Sequence, residues 1–126
     1  MTFSFGKRSL ENLKGVHPDL VKIAKRALEI TPIDFCITEG LRTLERQNQL
    51  VAAGASQTLN SRHLTGDAID VAAYIGGKVV WNTTPYSKIA DAFFAASNEL
   101  KVPLQWGGSW VKFRDYCHFQ LPFGHE

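Results

Sequence analysis

Three separated stretches of this sequence carry side chains that can work together only if the fold brings them to one point. They are Ser61-Arg62-His63-Leu64-Thr65-Gly66-Asp67-Ala68-Ile69-Asp70, then Asp115-Tyr116-Cys117-His118, and the isolated Arg42 far upstream. Histidine and aspartate are zinc ligands, and a carboxylate three residues before a histidine can serve as a base. His63, Asp70 and His118 would give a metal three protein ligands and leave a fourth position for water, the minimum equipment of a zinc hydrolase.

The alternation of side chains along a strand sharpens this expectation. In a strand from Asp67, residues Ala68, Asp70 and Ala72 share one face and Ile69 and Val71 the other. A carboxylate between two alanines on an otherwise apolar strand leaves space in front of itself, as a metal cavity requires. Fully extended, the chain from His63 to Asp70 would span roughly 23 Å, whereas two ligand atoms must each lie about 2 Å from one ion. The chain therefore has to turn back between them, and Gly66 is the residue best able to allow it. The last strand repeats the pattern, with His118 and Gln120 on one face and Cys117, Phe119 and Leu121 on the other. A lone aspartate could cap a turn, and a lone histidine could sit satisfied in a core; the joint spacing favours the metal.

The rest of the sequence narrows the possibilities. A chain of 126 residues can bury a core within one domain without disulfides, and residues 1–126 are expected to form one catalytic domain with no separate targeting domain. A net charge of +2, with dispersed Lys and Arg, speaks against a nucleic-acid partner. No apolar stretch is long enough to cross a bilayer, and Lys7 and Arg8 are not followed by the apolar run of a secretory signal. A monomer that does not insert into membranes is expected. Cys36 and Cys117 lie in apolar runs and are expected to be buried free thiols.

Pro18 to Ile30 is predicted as an amphipathic helix with Leu20, Ile23, Ala24, Ala27 and Leu28 on one stripe. Phe35 to Glu39 reads as a strand. Thr43 to Ala53 reads as a helix capped by Thr43 and ended by Gly54. Residues 55–66 read as loop, Asp67 to Tyr74 as a strand, and Gly76-Gly77 as a turn into a strand from Lys78 to Trp81. Thr84-Pro85 opens a further helix with Ile89, Phe93, Ala96 and Leu100 facing inward. Leu104 to Trp106 and Cys117 to Leu121 complete the set as short strands. The absence of regular βαβ alternation predicts an α+β fold, a small antiparallel sheet flanked by helices. His17, before a helix-opening proline, is expected to cap, and His125 to be solvated. Asp67 is read as a turn carboxylate without chemistry.

These segments resemble a known family. Ser61-x-His63-x-x-Gly66-x-Ala68-x-Asp70 followed by Asp115-x-x-His118 is similar to the LAS-type zinc peptidases. That family includes D-Ala-D-Ala carboxypeptidases, vancomycin-resistance dipeptidases and L-alanyl–D-glutamate endopeptidases, and hedgehog signalling domains share its fold. Glu39-Gly40-Leu41-Arg42-Thr43-x-x-x-Gln47 resembles the family's Ser-Gly-Tyr-Arg-Ser-x-x-x-Gln segment, and Trp106-Gly107-Gly108-x-Trp110 precedes the last ligand as expected. The short form with Trp-Gly-Gly-x-Trp and Asp-x-x-His looks most like tailed-phage endolysins. Two positions differ within the family: the dipeptidase branch has Glu where this chain has Asp115, and Glu39 replaces a small residue.

The resemblance implies Zn2+ held by His63, Asp70 and His118, Asp115 as proton acceptor and donor, and Arg42 on the scissile carbonyl. Ser61 is either a substrate hydrogen-bond donor or an ordinary loop serine. Gln47 either supports Arg42 or is exposed on its helix, and Trp106 either lines a substrate groove or packs in the core. The implied partner is the peptidoglycan stem peptide, reached from the host cytoplasm at lysis. A carboxypeptidase releasing D-Ala, and a zinc-stabilised binding module without turnover, remain open alternatives.

Overall fold

The computed structural model describes residues 3–54, 61–110, 115–122 and 125. A short helix α1 (Lys7–Asn12) precedes α2 (Pro18–Ile30), β1 (Asp34–Glu39) and α3 (Leu44–Ala52). A 3-10 turn over Arg62–Thr65 leads into β2 (Ala68–Ile75) and β3 (Lys78–Val80). The long α4 (Thr83–Leu100) and β4 (Gln105–Trp106) follow, then a 3-10 turn over Gly107–Ser109 and β5 (His118–Gln120). The strands run in the order β1-β2-β5-β4, with β3 pairing on β2, and every pairing is antiparallel. This is the expected α+β architecture.

The apolar stripe of α2 and the inner face of α4 pack together under the sheet, where Phe35, Ile37, Ile69, Val71, Ala73 and Phe119 point. Phe93 of α4 stacks on Phe119 of β5, ring centroids 3.9 Å apart and 11° from parallel. Each such fully buried ring contributes about 1.5–3 kcal/mol of transfer free energy. Val71 and Ile69 bury on this side, so Asp70 between them must face the other way.

Several sequence expectations are corrected. Leu100 does not face inward: it is 38% exposed, because the last turn of α4 runs past the sheet to a left-handed Lys101. Helix α4 starts at Thr83, with Asn82 as its cap residue. Helix α1 carries too short a pattern to be seen in sequence, and its anchorage is tertiary. Ser9 Oγ accepts from the Ile37 amide at 3.0 Å, and Asn12 Nδ2 donates to the Ile37 carbonyl at 2.8 Å, so α1 covers the outer edge of β1. The expected loop before β2 contains a 3-10 turn at Arg62–Thr65, while its residues 55–60 lie outside the described residues. Cys36 and Cys117 are free thiols, but half-buried rather than buried. His17 caps α2 as expected, its Nδ1 accepting from the Asp19 amide at 3.0 Å. His125 is not simply solvated, since its Nε2 lies 2.8 Å from Asp19 Oδ2.

Candidate metal centre

Two local devices turn the chain back between His63 and Asp70. Ser61 opens the 3-10 turn, its hydroxyl oxygen accepting from the His63 amide at 3.2 Å. Gly66 ends it in the left-handed region at φ 78°, where a Cβ would lie 2.3 Å from the Gly15 carbonyl oxygen. The strand that follows places Asp70 directly opposite His118 of β5. On its other side a register shift in β1 between Ile37 and Glu39 sets Glu39 opposite Asp70. One row across the sheet therefore carries Glu39, Asp70 and His118.

His63, Asp70 and His118 present their ligand atoms within 4.8 Å of one another. His63 Nδ1 donates to the Gly40 carbonyl at 2.9 Å, which leaves Nε2 as a bare lone pair. That Nε2 is buried, has no hydrogen-bond partner among the described residues and lies 3.4 Å from Asp70 Oδ1. His118 is oriented from behind as well. Its Nε2 donates to Gln120 Oε1 at 2.8 Å, and Gln120 Nε2 donates to Gln105 Oε1 at 2.8 Å. His118 Nδ1 then faces Asp70 Oδ1 at 3.1 Å.

Two imidazole nitrogens converging on one carboxylate oxygen require a positive charge among them. Burial would raise the Asp70 pKa, but the hydrogen bond and charge of His118, with the His63 imidazole beside it, outweigh it and hold the carboxyl well below its ordinary range. Burial likewise opposes a charged His118, and the adjoining Asp70 outweighs it and raises the imidazole. A buried, orphaned nitrogen lone pair beside a carboxylate and a second imidazole fits a metal cation, and this group could hold one.

Asp115 reaches the same place from the loop before β5. Its amide donates to the Gly107 carbonyl at 3.1 Å, and a Cβ on Gly107 would sit 2.2 Å from the Asp115 carbonyl oxygen. Only glycine at 107 permits that approach. Asp70, Asp115 and Cys117 also bring their ligand atoms within 4.8 Å of one another, and the Cys117 thiol donates to Asp115 Oδ1 at 3.0 Å. Burial, with the charges of Asp70 and Asp115 beside it, pushes the Cys117 thiol far up, so it stays a protonated donor.

Arg42 is buried and heavily engaged. Its Nε and Nη2 donate to the two oxygens of Glu39, and its Nη1 to Gln47 Oε1 at 2.6 Å and Ser61 Oγ at 3.5 Å. Nη2 also lies 3.7 Å from Asp70 Oδ2. Gln47 is fully buried rather than exposed on its helix. Ser61 is occupied as a cap and on Arg42. Trp106 donates from Nε1 to the Tyr116 carbonyl at 2.8 Å and stacks over Phe119. Asp67 pairs with Arg62 at 3.4 Å. Sequence reasoning assigned no role to Glu39, Gln120 or Cys117. The position of Gln120, two residues past a ligand and on its face, was the signal that could have found it.

Residues 1–120 match the family described as phage L-alanyl-D-glutamate peptidase. The L-alanyl-D-glutamate peptidase of Escherichia phage T5 is 43% identical over 120 residues, covering 92% of this chain and 88% of that protein. The L-alanyl-D-glutamate peptidase of Listeria phage A118 is 34% identical over 98% of this chain, which spans 44% of that longer protein. The crystal structure of Serratia marcescens L-Ala D-Glu endopeptidase ChiX superposes with a TM-score of 0.90 at 47% identity, over 98% of this chain and 91% of that one. The chain belongs to the phage L-alanyl-D-glutamate peptidase family.

Proposed function

We propose that the chain is a zinc-dependent peptidoglycan endopeptidase that hydrolyses the L-alanyl–D-glutamate bond of the stem peptide and acts as an endolysin in lysis of a bacterial host. The observation that carries the reading is the buried His63 Nε2 lone pair, aimed with His118 Nδ1 at Asp70 Oδ1 and with Asp115 alongside. Relatives from phages T5 and A118 bear that activity in their names. Two nitrogen donors and one carboxylate suit zinc in a site that keeps a position open.

Zinc, when bound, supplies a Lewis acid that polarises the scissile carbonyl and lowers the pKa of water to about 7. The protein's own groups do the rest. Asp115 takes a proton from the attacking water at Oδ2, because Oδ1 is held by the Cys117 thiol. The protonated carboxyl then donates to the departing amine of D-glutamate. Arg42, fixed by Glu39 and Gln47, places a positive charge beside Asp70 and the developing oxyanion.

Mass spectrometry of purified wall peptides after digestion tests this, run with zinc-loaded protein, with chelator, and with Asp115→Ala. A chelator-sensitive break between L-Ala and D-Glu, absent in the variant, is expected. Release of free D-Ala would replace the endopeptidase with a carboxypeptidase. Intact peptides despite bound zinc would leave only a binding module.

A further inference from the structure

Arg42 is not alone on Glu39. Glu39 Oε1 accepts from Arg42 Nε at 2.8 Å, and Arg46 Nε stands 3.9 Å from the same oxygen. Two guanidinium groups therefore meet at one carboxylate oxygen, and they differ in how far they are committed. Arg42 is buried, with donors on both Glu39 oxygens, on Gln47 and on Ser61. The Arg46 side chain is 53% exposed and reaches Glu39 only at ion-pair distance, because Arg42 already holds both oxygens at shorter range. Stability does not account for Arg46. Its amide donates to Thr43 Oγ1 at 3.1 Å, which fixes it in the first turn of α3. A cation in that turn opposes the helix dipole, and an exposed ion pair at that distance contributes little.

We propose that Arg46 binds the free carboxylate of the D-glutamyl residue whose amine departs, and so sets a preference for stem peptides in which that group is not amidated. This rests on the endopeptidase reading. Glutamate has two carboxyl groups, and the stem continues through the γ one. The α-carboxylate is borne by the carbon bonded to the scissile nitrogen, which puts its oxygens about 4 Å from the scissile carbonyl carbon. With that carbonyl on Arg42, the carboxylate lies a single step further on. The same step leads from one guanidinium to the next across Glu39 Oε1. A planar guanidinium can grip a carboxylate with two parallel hydrogen bonds, which Glu39 does not give Arg46. Among the described residues, the other arginine beside these segments is already engaged. Arg62 lies 3.4 Å from Asp67 and donates to the Leu121 and Pro122 carbonyls.

The test compares two stem peptides that differ only at D-glutamate, one with a free α-carboxylate and one with an α-amide. Zinc-loaded wild type, Arg46→Ala, Arg46→Lys and Arg46→Glu are assayed on both. Wild type is expected to favour the carboxylate about fivefold in kcat/KM, mainly through KM, the scale of one exposed ion pair. That preference should shrink as salt is raised. Arg46→Ala loses it and keeps full activity on the amide, which also shows that the variant folds. Arg46→Lys retains part of the preference, and Arg46→Glu reverses it. Wild type that shows no preference for the carboxylate overturns the proposal and leaves the endopeptidase standing. So does Arg46→Ala that keeps the preference, or that loses activity on both peptides alike. Wild type that cleaves neither peptide overturns the endopeptidase reading and the role of Arg46 with it.

Discussion

Glu39 closes on Arg42 with both carboxylate oxygens, Nε donating to Oε1 at 2.8 Å and Nη2 to Oε2 at 2.6 Å. The same guanidinium stands 3.7 Å from Asp70 Oδ2, so one arginine lies between Glu39 and the aspartate of the candidate metal centre. Glu39 engages Nε and Nη2 at short range, while the guanidinium approaches Asp70 only to 3.7 Å.

Glu39→Gln keeps the shape of this pair and removes its charge. Arg42 then turns its attraction on Asp70, and zinc affinity is expected to fall roughly tenfold, a shift of about 1.4 kcal/mol. Glu39→Ala is expected to cost more, about 3 kcal/mol of stability, because it strands a buried guanidinium. Competition with a chromogenic chelator measures the first and thermal unfolding the second. An unchanged zinc Kd in Glu39→Gln would remove Glu39 from the metal's electrostatics.

Behind His118 the chain Gln105–Gln120–His118 holds Nε2 and leaves Nδ1 facing Asp70 in the candidate metal centre. Gln120→Ala leaves His118 Nε2–H without its acceptor and frees the ring to turn. Metal affinity should drop by about 10–100-fold, as for other groups that orient a ligand. Gln105→Ala should give a smaller loss in the same direction. Equal zinc binding by Gln120→Ala and wild type would show that strand pairing alone orients the ring.

The far end of the chain offers a prediction in pH. The hydrogen bond from His125 is the largest influence on Asp19 and lowers its pKa. A carboxylate lowered in the folded state stabilises the protein above its unfolded value of about 3.9, and this contribution fades as pH falls through the native value. In His125→Ala the Asp19 titration, followed by NMR, should move up toward the ordinary value. Acid unfolding of that variant should begin at higher pH than in wild type. Coincident Asp19 titrations in the two proteins would show that the contact does not persist in solution.

Much of the site was legible because strand parity and ligand chemistry are local properties. Asp70 between Ala68 and Ala72, His118 in step with Gln120, and Gly66 as the turning point follow from residue type and position alone. The α2 stripe was equally plain, since thirteen residues carry several turns of periodicity. What could not be read depends on contacts between distant segments. Helix α1 exists through Ile37, twenty-eight residues beyond Ser9 in sequence. The place of Glu39 opposite Asp70 follows from the register shift in β1, which no composition signals. His125 meets Asp19 across nearly the whole chain. Leu100 fitted the helical period of α4 but not its end, because periodicity says nothing about where the partner surface stops.

Removing the metal should separate binding from chemistry among these residues. Zinc held at about 1,000 times its Kd adds about 4 kcal/mol to the folded state by mass action. For a chain of this size chelation should therefore lower Tm by on the order of 15 °C. His63→Ala deletes the one ligand whose lone pair has no other partner, so it should lose both zinc and the chelator-sensitive part of Tm. Asp115→Ala lies outside the three ligands and should keep stoichiometric zinc and the full Tm shift while turnover falls by about 10²–10⁴-fold. Metal analysis, differential scanning calorimetry and peptide hydrolysis on the same preparations give the three readouts. Zinc lost from Asp115→Ala would make Asp115 a ligand rather than the base, whereas zinc retained by His63→Ala would move the metal to other donors.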